Sequence, residues 1–302
     1  MALKEKIDSK QLILCGEISP PQSCDGDVIR EKARYFKGLV DAVNITDNQT
    51  AIARLSSIAS AKILLDEGVE PIMQMTCRDR NRLAMQSDLL GAAALGLRNL
   101  LCVTGDYPTF GDQPEAKGVF DLDSIQLIAA ASHMNQGLLL SGHEMKKAPD
   151  FLIGAAANPC GQPMEMRLIR LHKKIQAGAR FIQTQAVFDL ELFSRWLQQA
   201  VAWGLTEKAV ILAGVLPLKS VKAVRHMQQV PGVRIDEGYV HRMQQANDPQ
   251  EEGVKIAVEI IHALVRMKGV AGIHLMPVMW ESITPILLRE AGWTTLNQGE
   301  RP

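Results

Sequence analysis

The sequence predicts a closed (β/α)8 barrel, the TIM-barrel fold. Eight short apolar runs recur along 302 residues, and a helical stretch follows each of them. Apolar strands that alternate with amphipathic helices are typical of a parallel sheet covered by helices on its outer face. One barrel routinely takes roughly 250 residues or more. We therefore expect residues 1–302 to form a single barrel domain.

The eight predicted strands follow one another at intervals that leave room for a helix between them. Their ranges are 12–19, 42–47, 70–77, 99–106, 151–159, 181–188, 209–217 and 272–278. The interval before the last strand is long, and it has helical patterns near 232–246 and across 250–268. An extra helix before the last strand is a common addition to this fold.

Four residues carry signals for the ends of helices. Asp27 precedes the helical pattern of 28–40, and Asp121 stands where it would cap the helix that follows it. Pro163 stands at the opening of a later helix and Gly178 at its end. These signals predict three of the helices that cover the barrel.

The composition argues against several classes of protein. Lys plus Arg and Asp plus Glu both number 33, so no basic excess favours nucleic acid as a partner. No apolar run approaches the roughly 18 residues of a membrane span, and the first apolar run is too short for a secretion signal. The five cysteines are scattered without a CxxC pair, which is typical of reduced thiols. We expect a cytoplasmic globular protein with no membrane span and no bound metal.

Polar side chains lie where the predicted strands end. The set comprises Glu17, Thr46, Asp47, Gln74, Thr76, Thr104, Asp106, Asn158 and Gln185. In barrel enzymes these strand ends converge on one mouth, where a ring of polar groups forms a ligand pocket. For any single Thr or Asn the simpler interpretation is stronger, because strand ends also meet solvent and cap helices.

Glu17 is a stronger candidate for chemistry than most of this ring. It follows an apolar strand and precedes Ser19-Pro20-Pro21, where the prolines hold the backbone extended and end the strand. A carboxyl fixed there could serve as a general acid if burial favours its protonated form. A salt-bridged structural glutamate fits the local pattern equally well.

Other catalytic motifs are missing from the sequence. There is no GxGxxG, GxxxxGK[ST], HExxH or GxSxG, which argues against dinucleotide, P-loop, zincin and hydrolase sites. The histidines are dispersed, and we expect His133 and His143 on the surface. The loops after the seventh and eighth strands lack glycines that expose backbone N–H groups to a phosphate, which disfavours a phosphosugar substrate.

Six segments resemble the methylenetetrahydrofolate reductase family in order and spacing. They are GEISPP, VNITDN, QMTCRDRN, GLRNLLCVTGDYP, LHKKIQAGARFIQTQAVFD and AGVLPLKS. The resemblance extends over nearly the whole chain. The combination of TGDxP, KxxAGAxxxxTQxxFD and GxLP is specific to this family. The resemblance implies a barrel that reduces 5,10-methylenetetrahydrofolate to 5-methyltetrahydrofolate through a bound flavin. That flavin is FAD in most members, and FMN is the alternative.

The resemblance also implies roles for individual residues. Glu17 matches the catalytic glutamate that protonates folate N10, so that the ring opens to an iminium and accepts hydride from flavin N5. Asp106 matches an aspartate near the flavin and the pterin, and Gln185 a glutamine that hydrogen-bonds the folate. Lys174 would bind a cofactor phosphate, although a solvated helix lysine is the default without the family match. The positions that contact the flavin in the family correspond here to Thr46, Gln74, Thr104, Gly105, Asp106, Ala156, Asn158, Gln162 and Lys174.

Three positions depart from the family members that use NAD(P)H. Gln74 stands where histidine is common, and Val221 and Ala186 stand where aromatic residues are common. Aliphatic side chains give a nicotinamide less stacking surface, so NAD(P)H as the direct donor is left open.

QMTCRDRN together with GIHLMPVMWE is similar to reductases of anaerobic one-carbon metabolism. That similarity implies a zinc-binding partner subunit and an iron–sulfur electron-transfer complex, because this chain lacks cysteines for either centre. We also expect an oligomer.

Two other functions stay open on the sequence alone. A pterin methyltransferase would bind folate in a similar barrel without a flavin, and it would be colourless. A non-catalytic assembly subunit would keep the barrel only to dock partners. The absorption spectrum distinguishes a reductase from a methyltransferase, because only the reductase binds a flavin. A Glu17→Gln variant distinguishes an enzyme from an assembly subunit, because the enzyme would lose folate reduction and the subunit has no activity to lose.

Overall fold

The computed structural model describes residues 1–230 and 232–293. Eight parallel strands form a closed barrel in chain order, and β8 pairs with β1. The strands are Ile13–Ile18 (β1), Ala42–Ile45 (β2), Pro71–Thr76 (β3), Asn99–Val103 (β4), Leu152–Ala157 (β5), Phe181–Ala186 (β6), Val210–Val215 (β7) and Val270–Leu275 (β8). The predicted (β/α)8 barrel is confirmed. The predicted single domain includes Pro231 and 294–302, which lie outside the described residues.

Helices connect the strands and cover the outside of the barrel. They are Leu3–Asp8 (α1), Asp27–Ala33 (α2), Ser57–Asp66 (α3), Arg82–Ala94 (α4), Ser124–Asn135 (α5), Met164–Ala177 (α6), Leu190–Ala202 (α7), Leu205–Lys208 (α8), Val221–Met227 (α9), Glu237–Gln245 (α10), Pro249–Val265 (α11) and Thr284–Glu290 (α12). Short 3-10 turns lie at Gln49–Ala51, Pro108–Phe110 and Glu281–Ile283. In the described part of the chain, no helix combines the length and apolar character needed to cross a bilayer.

The connection between β7 and β8 contains the extra helices that the sequence predicts. The predicted helix near 232–246 is α10, which begins later, at Glu237, because Asp236 accepts a hydrogen bond from the N–H of Gly238. The predicted helix across 250–268 is α11, which ends at Val265. A third helix, α9, was not predicted, and it starts after Ser220, whose hydroxyl accepts from the N–H of Ala223.

The prediction that Asp121 caps the following helix is wrong. Asp123 is the N-cap of α5, and its carboxylate accepts from the N–H groups of Ile125 and Gln126, each at 2.9 Å. Asp121 instead pairs with Arg82 at the start of α4 at 2.8 Å, and this pair lowers the pKa of Asp121 to about 2. Asp121 is thus engaged by a residue 39 positions away in sequence, and Asp123 serves as the cap.

The other predicted helix ends differ less from the structure. Asp27 is the first residue of α2 rather than its cap, because Gly26 occupies the cap position. Pro163 immediately precedes α6 and Gly178 ends it at a φ of +124°, as predicted. Glycine suits this end because residues with a side chain rarely adopt such a φ.

Helix α1 covers the N-terminal end of the barrel. Its Leu3 and Ile7 are buried against strand residues that include Ile13 and Phe181. Lys6 Nζ lies 2.5 Å from a carboxylate oxygen of Asp41, and both side chains are almost fully buried. The same carboxylate accepts from the N–H of Leu14 at 2.8 Å. These contacts join α1 to the beginnings of β1 and β2.

Candidate active site

A cavity of about 340 Å³ opens at the C-terminal ends of the strands. Residues from β1 to β6 and β8, or from the loops that follow these strands, line it, as expected for the mouth of a barrel. Predicted site residues in its wall are Glu17, Thr46, Gln74, Gly105, Asp106, Ala156 and Gln185. The structure therefore brings most of the predicted set to one mouth. A larger open cleft of about 1000 Å³ lies between α7 and α10 and contains none of the predicted site residues.

Four predicted residues lie outside this cavity. Asn158 and Lys174 line a smaller neighbouring pocket of about 160 Å³, which also contacts Ala156 and Gln185. The hydroxyl of Thr104 is bonded to Ser124 at 3.1 Å. Gln162 is exposed on the loop before α6. The flavin roles of Thr104 and Gln162 stay predictions.

Glu17 is a partly buried carboxyl near the end of β1. Its Oε2 accepts a hydrogen bond from Nδ2 of Asn44 at 2.7 Å, and these two residues are register partners on β1 and β2. The Nε2 atom of His274, on β8, lies 3.4 Å from the same oxygen. Glu17 forms no ion pair with Lys or Arg in the residues that the structure describes. Within the described residues, the carboxyl therefore lacks the Lys or Arg partner that a structural role would use.

Three buried polar residues of the barrel interior were missed by the sequence reasoning. They are Asn44, Gln183 and His274, which are at most 3% exposed. Gln183 and His274 line the mouth cavity. The sequence holds a weak signal for them, because each is a polar residue inside an apolar strand, and Gln183 lies two positions before Gln185. A spacing of two places side chains on the same face of a strand.

A buried ionic network supports the loops after β2 and β3. The carboxylate of Asp47 accepts from the N–H and hydroxyl of Thr76 at 2.9 and 3.0 Å and from Arg80 at 2.7 Å. Arg80 also pairs with Asp88 at 2.8 Å. Asp47 and Thr76, although part of the polar ring, therefore hold these loops in place.

The loop after β4 presents Asp106 at the rim of the mouth. The strand ends at Val103, earlier than predicted, because Gly105 has a φ of +93° that turns the chain out of the sheet. Arg78 contacts the backbone oxygen of Asp106 at 3.4 Å. The carboxylate of Asp106 is exposed, and it can face a ligand that enters the cavity.

A cationic face of α6 borders the smaller pocket. Arg167, Arg170 and Lys174 are three and four positions apart, a spacing that places them on one side of the helix. Lys174 donates to the backbone oxygen of Ala156 at 2.7 Å. Burial, together with Arg170 and Arg167, lowers the pKa of Lys174 to about 8. Three cations border this small pocket, which we call the anion pocket because its positive charge favours an anion.

The fold and the site define a (β/α)8-barrel protein with carboxyl, amide and imidazole groups in its mouth and an anion pocket beside it. The family model for methylenetetrahydrofolate reductase matches residues 2–292. The chain belongs to this family, and the family expectation from the sequence is confirmed.

Relatives with curated descriptions carry the same family name. The chain is 24% identical to a probable methylenetetrahydrofolate reductase (NADPH) of Caenorhabditis elegans, over 99% of this chain and 45% of the relative. It is 25% identical to 5,10-methylenetetrahydrofolate reductase of Escherichia coli, over 68% of this chain and 65% of the relative. The chain thus spans less than two thirds of the length of these relatives.

Solved structures share the fold at low sequence identity. A protein from Clostridium thermocellum described as uncharacterized and as binding two copies of 5-methyl-5,6,7,8-tetrahydrofolic acid superposes with a TM-score of 0.70 at 17% identity, over 95% of this chain and 98% of the other. A 2,3-dimethylmalate lyase superposes with a TM-score of 0.53 at 12% identity, over 96% and 84% of the two chains. These likenesses show the barrel alone.

Proposed function

We propose that this chain reduces 5,10-methylenetetrahydrofolate to 5-methyltetrahydrofolate by hydride transfer from a bound reduced flavin, with Glu17 as the general acid. The observation that carries the proposal is the carboxyl of Glu17, which lies in the mouth, has no Lys or Arg partner among the described residues and is held by Asn44. Family membership supports the reaction. The structural neighbour described as binding 5-methyltetrahydrofolic acid supports a folate as the ligand of this mouth.

Three residues of the mouth have different roles in the proposed reaction. Glu17 donates a proton to folate N10, which opens the five-membered ring to an iminium cation. The exposed carboxylate of Asp106 stabilises this cation electrostatically and positions the pterin. Gln185 lines the same cavity, and its amide is placed to hydrogen-bond the folate.

The anion pocket fits the phosphates of a flavin cofactor. Arg167, Arg170 and Lys174 extend along two turns of α6, which matches the two phosphates of FAD better than the single phosphate of FMN. The Nε atom of Arg167 is buried and has no hydrogen-bond partner among the described residues. A buried N–H donor such as this one normally has a hydrogen-bond acceptor, and a phosphate oxygen of the cofactor can be that acceptor. When bound, the flavin supplies the hydride, and the protein supplies orientation and electrostatics.

The absorption spectrum of the purified protein tests the proposal. The protein is incubated with FAD, reduced without oxygen, and then mixed with 5,10-methylenetetrahydrofolate. We expect the protein to retain flavin absorbance after unbound FAD is removed. Reduction should abolish this absorbance, and addition of the folate should restore it. A protein that binds no flavin, as a pterin methyltransferase would, contradicts the proposal.

The electron donor is a separate part of the proposal. Ala186 is 2% exposed and Val221 packs against the core, so neither residue presents an aromatic face to a nicotinamide. We propose that electrons come through a zinc-binding partner subunit and an iron–sulfur complex, in a cytoplasmic oligomer. We expect slow reduction of the flavin by NADH or NADPH and fast reduction by reduced viologen. Fast turnover of the isolated chain with NADH contradicts this route.

Lys174→Met is expected to weaken FAD binding about tenfold or more, because a charge-assisted hydrogen bond contributes roughly 1.5–3 kcal/mol. The pKa of Lys174 is lowered to about 8, so the protein loses this charge as the pH rises through that value. FAD affinity of the unaltered protein should therefore fall between about pH 7 and pH 9, whereas the variant should lack this loss.

Titration of flavin fluorescence measures both effects of Lys174→Met. Lys173→Met is the matched control, because Lys173 is the exposed neighbour on the same helix. Equal losses in the two variants would show that the effect is one of net charge rather than of the pocket.

A further inference from the structure

His274 is a buried histidine that points at the proposed acid. It lies on β8, is 3% exposed and lines the mouth cavity. Its Nε2 atom is 3.4 Å from Oε2 of Glu17. Neither ring nitrogen has a hydrogen bond of good geometry to any residue that the structure describes. Buried ring nitrogens normally have partners, and the carboxyl of Glu17 is the group in position to be one.

The proposed reaction leaves Glu17 in need of a proton after each turnover. Once the proton has moved to folate N10, a bare carboxylate remains in a partly buried position, which is costly unless it is hydrogen-bonded. Asn44 donates one N–H to Oε2, but an amide does not give up that proton. A second group must restore the acid.

The other charged groups of the cavity are poorly placed for this task. They are Asp47 after β2, Arg78 after β3 and Asp106 after β4, whereas the lining residues of β5 and β6 carry no charge. Asp47 is held by Arg80 and Thr76, and Arg78 pairs with Asp79 at 2.7 Å. Asp106 is exposed at the rim.

We infer that His274 returns the proton to Glu17 between turnovers, an inference that rests on the proposed function. In this step the Nε2–H bond of the imidazolium breaks and an Oε2–H bond forms, so the imidazole becomes neutral and the carboxyl becomes an acid. A water molecule at the open mouth then protonates the ring nitrogen again, and the hydroxide that forms leaves to bulk solvent. Histidine suits this task because an imidazole ring can accept a proton at one nitrogen and donate one from the other. His274 acts through Glu17 and does not act on the folate.

The variants His274→Gln and His274→Asn test the inference in multiple-turnover folate reduction. Gln keeps an N–H near the position of Nε2, and Asn near that of Nδ1, but neither amide titrates. We expect both variants to be roughly tenfold slower than the unaltered protein at about pH 8.5 and less than twofold slower at about pH 6. At the lower pH, protons from water reach Glu17 directly. The rate at which the donor reduces the flavin should be unchanged.

The pH dependence separates proton return from a merely structural role. A deficit of equal size at every pH, or full activity of His274→Gln, would overturn the inference. Two amide variants of different length keep the test decisive if one of them unfolds. Glu17→Gln is measured in parallel. If Glu17→Gln retains folate reduction, the proposed function fails; if it loses folate reduction while both His274 variants behave normally, only the inference fails.

Discussion

Glu17→Gln is expected to lower the rate of folate reduction by about a thousandfold, because a positioned general acid contributes roughly a hundredfold to ten-thousandfold. Glutamine has the same shape, and its amide oxygen can still accept the hydrogen bond from Asn44. The barrel should therefore remain intact. Reduction of the flavin by its donor does not use this proton, and its rate should stay within about a factor of two.

Rapid mixing of each half-reaction measures the two effects of Glu17→Gln separately. Glu191→Gln is the matched control, since Glu191 is an exposed glutamate of α7 with only a long ion pair to Arg195 at 4.0 Å. If Glu17→Gln reduces the folate at the unaltered rate, Glu17 is not the general acid. A protein without any folate reduction, in either form, would instead fit the assembly-subunit alternative.

Lys6→Met is expected to destabilise the protein by about 3–5 kcal/mol. The substitution leaves the carboxylate of Asp41 buried without its cation, and the N–H of Leu14 alone cannot compensate it. Unfolding in urea, followed by circular dichroism, measures the change in free energy.

The matched control for Lys6 lies on the same helix. Lys4 pairs with Asp150 at 2.9 Å, but both side chains are about half exposed or more. Lys4→Met should therefore cost less than about 1 kcal/mol. The double variant Lys6→Met with Asp41→Asn should recover part of the loss, because it also removes the unpaired charge. A small effect of Lys6→Met alone would mean that Asp41 is solvated in the native state.

The fold was predictable because each barrel strand is buried on both faces and so reads as an apolar run. The errors lie where contacts distant in sequence decide the outcome. Asp121 and Asp123 are both reasonable caps locally, and Arg82 on another helix engages the first of them. The strand ending at Val103 was predicted too long, because the positive φ of Gly105 depends on the loop and not on apolar character.

The lining of the mouth cavity was predictable where it comes from strand ends and not where it comes from strand interiors. Glu17, Asp106 and Gln185 follow from the rule that barrel strands deliver functional groups at their C-terminal ends. His274 lies within β8, where register decides whether a side chain faces the cavity or the helices. Its distance to Glu17 depends on closure of the barrel between β1 and β8, which a linear pattern does not contain.

Helix α1 has a consequence for the order in which the protein folds. Its contacts reach Glu70, Asp150 and Arg180, which are 67, 146 and 172 residues further along the chain. Six residues cannot sustain a helix alone in water, so α1 depends on these contacts. During synthesis, the helix must wait until the strands up to β6 have been made. Protection of its amide hydrogens should therefore appear late in refolding, after β6 has joined the barrel.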